Sequence, residues 1–345
     1  MKNKDNLILI TGSAGFIGAA VTKKLIENGN SVIGIDNLNT YYDLNLKKKR
    51  LQNIDLLAEQ SEGEWIFNKI DIVERKKVFK LFKEYKPKIV INLAAQAGVR
   101  YSLINPKSYI ENNILGFSNV LDACVENKVE NLIYASSSSV YGGNKKIPYF
   151  EDQSVNHPVS LYAATKRSNE LIAHAYSSNY GIPATGLRFF TVYGPYGRPD
   201  MAPMIFTKSI INEEHIEVYN FGEMKRDFTF IDDVVESIFR CCFKPAICDL
   251  GFDAYNPRAS VSFAPHRIFN VGNSETVDLM KFIQLLEDKI GKKALINFKP
   301  LQKGDVLETF ADVSKLKDWI NFSPVVSLED GLDRFLDWYF NYYSL

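Results

Sequence analysis

The chain has little sulfur, little histidine and no long apolar run. Its four cysteines, Cys124, Cys241, Cys242 and Cys248, lack C-x-x-C spacing, and none of the four histidines flanks them. That pattern offers neither a metal set nor the framework of a small disulfide-built domain, so no metal and a reducing compartment are expected. No stretch approaches the ~18 apolar residues of a membrane span. The apolar Leu7–Ile10 behind the polar Met1–Asn6 is far too short for a secretory leader, and a cytoplasmic location with no membrane partner is expected. Lys plus Arg number 41, as do Asp plus Glu, so the net charge of +0 argues for no nucleic-acid partner. Any anionic ligand must be met by local groups.

What is present suits a soluble enzyme: 345 residues, 46% hydrophobic and 24% charged, without internal repeats. Short β-rich runs alternate with helical patterns over the first half. Strands are expected at Leu7–Thr11, Ser31–Ile35, Trp65–Lys69, Lys88–Asn92, Leu132–Ser136 and Pro183–Phe190, with a first helix over Ala19–Asn28. Such alternation predicts right-handed βαβ units and a parallel sheet. After Phe190 the pattern loosens, and "PAICDLGFDAYNPRASVSFAPHR" reads as a loop, a surface insertion or a partner contact.

The segment "LILITGSAGFIGAAVTKKLIENGNSVIGIDN" puts Gly12, Gly15 and Gly18 between a strand and a helix, with Asp36 at the end of the next strand. Glycine permits a tight turn and lets backbone amides approach a pyrophosphate at a helix amino terminus. Strand, helix and acid agree, so a dinucleotide site is expected. Asp36 would accept from ribose hydroxyls and repel a 2′-phosphate, and no Arg or Lys follows before Lys47, which favours NAD over NADP.

Tyr162 and Lys166 stand four apart in "SLYAATKRSNELIAHAY", on one face of a helical pattern. Tyrosine has a free pKa of about 10; a nearby Lys cation and a positive nicotinamide ring would favour the phenolate and make it a base. Upstream, four serines, Ser136–Ser139, end the strand. Such a run is by itself most often a turn.

The G-x-x-G-x-x-G spacing resembles the extended branch of the short-chain dehydrogenase/reductase superfamily. The blocks "NLAAQAGVRYSL", "SSSSVYGGNKKIPY", "HPVSLYAATKRSNEL", "GLRFFTVYGPYGRPDM", "YNFGEMKRDFTFIDDVV", "FNVGNSETVDLMKFI" and "LQKGDVLETFADVSKL" resemble the UDP-glucuronate 4-epimerases, from about Leu7 to Tyr342. The resemblance implies an α/β fold, a Rossmann-type doubly wound parallel sheet with a smaller mixed α/β carboxy-terminal lobe. It divides the chain into an NAD-binding part, 1–190 with a returning segment of about 228–260, and a nucleotide-sugar lobe, 191–227 and 261–345. It further implies a UDP-sugar substrate, a homodimer built on a helix bundle, and a product used in polysaccharide biosynthesis.

Residue by residue, the resemblance makes Ser137, Tyr162 and Lys166 the catalytic group. To the cofactor it gives Gly12, Gly15, Phe16, Ile17, Gly18, Asp36, Asn37, Asn39, Asp71, Ile72, Ala94, Ala95, Gln96, Asn113, Ser136 and Phe189, besides Tyr162 and Lys166. Arg226 is expected on the diphosphate and Asp305 on the uridine ribose, with Gln302 where galactose epimerases carry an Arg and Thr191 where they carry an Asn. Ser138, Ser139, Thr191 and Arg198 are expected to hold a sugar carboxylate. Taken alone, Asp71 reads equally as a strand-end acid, Arg226 beside Asp227 as a surface ion pair, Asp305 as a turn acid and Arg198 as a cap on "GRPDMAP". The implied reaction removes the C4 hydride and the hydroxyl proton, lets the 4-keto sugar turn, and returns the hydride to the opposite face. Its hazard is that a 4-keto uronate is a β-keto acid, which loses carbon dioxide when the C5–C6 bond aligns with the carbonyl.

Other readings share the fold. Dehydratases carry an Asp-Glu pair where Ser138-Ser139 stand, and UDP-glucuronate decarboxylases commonly place a Glu near the catalytic Ser. An epimerase of UDP-galactose or UDP-N-acetylhexosamine, and a non-catalytic nucleotide sensor, also remain. Retention of Ser137, Tyr162 and Lys166 together counts against the sensor.

Overall fold

A computed structural model describes residues 7–302 and 304–345; Met1–Asn6, read above for a leader, lie outside the described residues. Seven strands form a parallel sheet: β1 (Ile8–Thr11), β2 (Val32–Asp36), β3 (Trp65–Lys69), β4 (Ile89–Asn92), β5 (Asn131–Ser137), β6 (Ala184–Phe189) and a last strand, His266–Val271. From one edge the order is His266–Val271, β6, β5, β4, β1, β2, β3. Every neighbouring pair is parallel.

The central strands are apolar throughout because helices cover both faces. Ile8 and Ile10 pack with Val21 and Leu25 of the helix Phe16–Glu27, whereas Leu9 packs with Phe82, Phe117 and Val120 on the other side. Each such side chain, fully out of water, contributes roughly 2 kcal/mol. The chain runs outward from β1 to β3 and then resumes at β4 on the other flank of β1. Connections leave in opposite directions there, and the crevice at the carboxyl ends of β1 and β4 is where such a sheet takes a ligand.

The expected strands all form, with shifts of at most one residue at their ends. The first helix starts at Phe16 rather than Ala19, because Gly15 takes the N-cap position and Phe16-Ile17-Gly18 make the first turn. One boundary differs. The segment returning to the sheet does not stop near 260: His266–Val271, placed by sequence in the lobe, pairs with β6 along its whole length. Six residues after a long irregular stretch have no periodicity of their own, and β6 supplies their parallel partner. Ahead of that strand, 245–265 carries no helix or strand; Ser260 donates from its backbone to Asp152 at 3.0 Å, and Ser262 meets His174 at 2.6 Å.

The lobe is built from two-stranded pieces: Thr191–Tyr193 with Phe228–Phe230, Lys225–Arg226 with Val277–Asp278, and His215–Tyr219 with Leu295–Lys299. Its helix Leu328–Tyr343 inserts Leu332 and Phe335 into a core shared with Phe230, Phe282 and the sheet's Ile8 and Ile10. Lobe and sheet therefore meet across one apolar interior, with the crevice between them. Among the described residues no helix is long and apolar enough to cross a membrane.

Candidate active site

The crevice is a cleft of about 400 Å³ running from the glycine-rich turn to Asp305. Of the site residues expected from sequence, all except Asn113 line it. At one end Gly12 has φ +74, and a Cβ there would lie 2.8 Å from the Ala94 amide; one on Gly18 would lie 2.1 Å from the Gly12 carbonyl oxygen. The helix Phe16–Glu27 begins at Gly15 without a side-chain cap among the described residues, so its first amides face the cleft unclaimed. Asp36 is oriented by the amides of Leu38 at 2.8 Å and Ala14 at 3.3 Å. Asn37 donates to Asp71 at 2.8 Å, and Asp71 accepts from the Val73 amide, so this acid has a fixed seat beside the cleft.

Lys47, dismissed in sequence as too far along, comes within 4.0 Å of Asp36. Its ammonium is held by the carbonyl and side-chain oxygens of Asn39, at 3.0 and 2.8 Å, and burial lowers its pKa against the pull of Asp36. Lys47 thus braces the loop 37–43. Arg50, on the same helix (Leu44–Ala58), donates to the Ala14 carbonyl at 2.9 Å and to the Tyr196 carbonyl at 2.6 Å, joining the glycine turn to the segment 194–200.

Asn113 stands behind the wall. It sits in a π-helical stretch, Ile110–Gly116, whose wide turn presents its amide sideways. Its oxygen accepts from the Gln96 amide at 2.8 Å, while its nitrogen donates to the Gln96 carbonyl at 3.0 Å and to Thr165 at 3.0 Å. Asn113 therefore ties the Ala94-Ala95-Gln96 wall to the helix Leu161–Tyr180, which carries Tyr162 and Lys166.

That helix is capped by Ser160, whose side chain accepts from the Ala163 amide at 3.1 Å. Lys166 is buried and donates to the Ala135 carbonyl at 2.9 Å, and burial lowers its pKa to about 8. Burial raises the Tyr162 pKa, opposed by a hydrogen bond with Ser137 and then by the positive charge of Arg198. Arg198, on the same cleft wall, thus adds positive charge near Tyr162 beside the expected Lys166. Ser139, which lines the cleft, donates to the Ser137 hydroxyl at 2.7 Å. Ser137 thus lies between Ser139 and Tyr162.

Ser136 lines the cleft as well. Its hydroxyl turns away to Glu170 at 2.6 Å, inside a buried cluster where Arg188 grips Glu170 at 2.8 and 2.9 Å. Burial pushes the Glu170 carboxyl up, but Arg188 outweighs it and holds the pKa below the usual range. This cluster supports the serine run from behind, and nothing in the sequence pattern of Glu170 or Arg188 signals it.

At the sugar end, charged groups pair with one another. The Arg198 Nε meets Asp200 Oδ1 at 3.0 Å and Nη2 meets Oδ2, while Tyr41 donates to Asp200 at 3.1 Å. Arg226 donates to Asp305 at 2.9 Å and to the Leu307 carbonyl at 3.0 Å. Arg226 therefore does not pair with Asp227, whose buried carboxyl accepts from the Asn273 and Ala311 amides and is raised by burial to about 6. Arg100, unmarked in sequence, lies 3.5 Å from Asp305 and stacks 4.6 Å over the Tyr219 ring, bringing a second cation to the end where Gln302 replaces one. Thr191 and Ser138 line the cleft between these pairs.

A glycine cradle at the switch point of such a sheet, with a Ser-Tyr-Lys group beside it, defines a dinucleotide-dependent protein of the short-chain dehydrogenase/reductase kind. The comparison with known families places it further: this chain belongs to the NAD dependent epimerase/dehydratase family, whose profile matches residues 8–246. It is 50% identical to Protein CapI of Staphylococcus aureus over 98% of this chain and 99% of that one. It is 43% identical to a probable UDP-glucuronate 4-epimerase of Rhizobium meliloti over 96% of each. The UDP-glucuronic acid 4-epimerase of Bacillus cereus, solved with UDP-glucuronic acid and NAD, superposes with a TM-score of 0.84 at 33% identity, covering 98% of this chain and 100% of that one.

Proposed function

We propose that the protein interconverts UDP-glucuronate and UDP-galacturonate by transient oxidation at C4. The carrying observation is a substitution of chemistry. Asp36, Asp71 and Asp305 are the carboxylates among the described residues lining the cleft, and none stands beside Ser137 and Tyr162. Ser138 and Ser139 occupy the place where a dehydratase needs an acid and a base. The names of the Rhizobium meliloti and Bacillus cereus relatives support the uronate.

The cradle fits NAD: Gly12, Gly15 and Gly18 leave room for a pyrophosphate, Asp36 takes the ribose hydroxyls, and Asn37, Asp71 and Ile72 lie at the adenine. Bound NAD supplies an acceptor for the C4 hydride and gives the same hydride back. Tyr162 takes the C4 hydroxyl proton, and Ser137, oriented by Ser139, bonds the same oxygen. Lys166 holds the nicotinamide ribose. Burial opposes the phenolate, while a hydrogen bond with Ser137 and the positive charge of Arg198 pull the other way. Once the keto sugar has turned, Tyr162 returns a proton to the oxygen. Ser138, Thr191 and Arg198 keep the carboxylate solvated by hydrogen bonds and out of line with the carbonyl, which suppresses decarboxylation. Arg226, Arg100 and Asp305 exchange their mutual contacts for the diphosphate and the uridine ribose.

The sheet with its helices thus serves NAD, and the two-stranded pieces with the final helix serve the sugar nucleotide. Exposed Leu171 on the catalytic helix and exposed Leu103, Ile104 and Ile110 on elements packed against it suit a homodimer. Four unpaired cysteines suit the cytoplasm. Incubating the protein separately with UDP-glucuronate, UDP-glucose and UDP-N-acetylglucosamine, with products identified by NMR, tests the reading. Conversion of UDP-glucuronate to its C4 epimer is expected, and preferential turnover of a neutral sugar would refute it.

A further inference from the structure

We propose that Asp200 is a positioning residue that limits how tightly Arg198 grips the sugar carboxylate, so that the keto sugar can turn in the cleft. The inference rests on the uronate reading above. A guanidinium binds a carboxylate most strongly through two parallel N–H bonds. In this structure one such edge of Arg198, Nε with Nη2, is already taken by Asp200. Arg198 lines the cleft and Asp200 does not, so the acid approaches from behind the cation.

Asp200 is held in place from the cofactor side. Tyr41 donates to it at 3.1 Å and packs against Tyr101 with ring centroids 4.9 Å apart. The segment carrying Arg198 and Asp200 is pinned by Arg50 at the Tyr196 carbonyl, 2.6 Å, and by Asn53 at the Tyr196 hydroxyl, 2.8 Å. Arg198 therefore cannot swing freely toward a ligand, and its charge is compensated before one arrives.

An epimerase has a use for this. Its 4-keto intermediate must present the opposite face, so the carboxylate at C5 has to leave one position and take another. A full Arg–carboxylate pair would stabilise the resting complex and be absent while the ring turns, which lowers kcat. With Asp200 in place, the uronate is recognised by direction, through the remaining edge of Arg198 and the neighbouring hydroxyls, and is released again.

The test uses the NAD-loaded protein. In a Tyr162→Phe background, Asp200→Asn should tighten UDP-glucuronate by about fivefold and leave UDP-glucose unchanged, as measured by calorimetry. In the active protein, Asp200→Asn should lower KM and kcat for UDP-glucuronate together, by about the same factor. A merely structural role would lower kcat without tightening binding. Tyr41→Phe, which only loosens Asp200, should move both quantities the same way by about twofold, and it carries the test if Asp200→Asn fails to fold. Unchanged or weaker UDP-glucuronate binding, or an equal change for UDP-glucose, overturns the proposal. If wild-type protein epimerises UDP-glucuronate while the Asp200 and Tyr41 variants bind it as wild type does, this proposal alone falls; if wild-type protein does not act on UDP-glucuronate, the uronate reading falls with it.

Discussion

The two ends of the cleft meet their ligands differently. At the cofactor end, shape comes from backbone: a glycine turn, a bare helix start, and polar pairs such as Asn37–Asp71 and Asn113–Gln96 that are complete as they stand. At the sugar end, shape comes from long charged side chains that neutralise one another, Arg198 with Asp200 and Arg226 with Asp305. The first end presents finished backbone geometry and the second presents charges that are already paired. Backbone geometry reorganises little on binding, whereas an ion pair that swaps partners returns part of the binding energy and allows release.

That contrast can be broken at its junction first. Tyr162→Phe should lower turnover by roughly a thousandfold, the scale of a lost general base, while NAD stays bound and the melting temperature holds. Activity within about tenfold of wild type, ~1.4 kcal/mol of barrier, would show that Tyr162 is not the base. At the cofactor end, Gly18→Ala forces a Cβ to 2.1 Å from the Gly12 carbonyl oxygen. Loss of bound NAD on purification and a destabilisation of roughly 3 kcal/mol are expected, read by cofactor content and chemical denaturation. At the sugar end, Arg226→Ala should weaken UDP binding by about thirtyfold with little change in NAD content, because a charge-assisted contact is lost outside the cradle. Equal loss of UDP and NAD would erase the distinction between the ends.

The smallest expected effect is on pH dependence. Burial lowers the Lys166 pKa from 10.5 to about 8, so between those values the unfolded chain carries a proton that the folded one has shed. Folding is then favoured progressively as pH rises from about 8 to 10.5. Urea denaturation of NAD-free protein should show a rise in wild type, relative to Lys166→Met, across that window; parallel curves would place the ammonium in a more solvated setting.

Most of the cofactor end was legible in the linear chain because its determinants are local. Gly12, Gly15 and Gly18 lie within one turn, and Asp36 follows one helix and one strand later, so spacing alone locates them. Tyr162 and Lys166 are legible for the same reason, being one helical turn apart. The partners were not legible. Lys47 reaches Asp36, Asp200 takes the Arg198 fork, and Arg100 approaches Asp305 across 205 positions. The hydroxyls of Ser136 and Ser139 go to Glu170 and Ser137, contacts that no spacing announces. A side chain's direction depends on what competes for it, and competition of that kind has no periodicity. The strand His266–Val271 escaped for a related reason, since its parallel partner β6 is distant in the chain.

By itself the sequence determined the class of sheet, the dinucleotide turn, the Ser-Tyr-Lys group and the lack of carboxyl groups beside it. The sheet, the glycine turn and the Tyr162–Lys166 pair are matters of residue type at short spacing, whereas Ser137 and the missing carboxyl groups are read through the family resemblance. Only the tertiary structure decided which charges face the ligand and which are already paired. Those choices are made by side chains from distant segments meeting in one cleft, where burial makes every unpaired charge costly and proximity determines its partner.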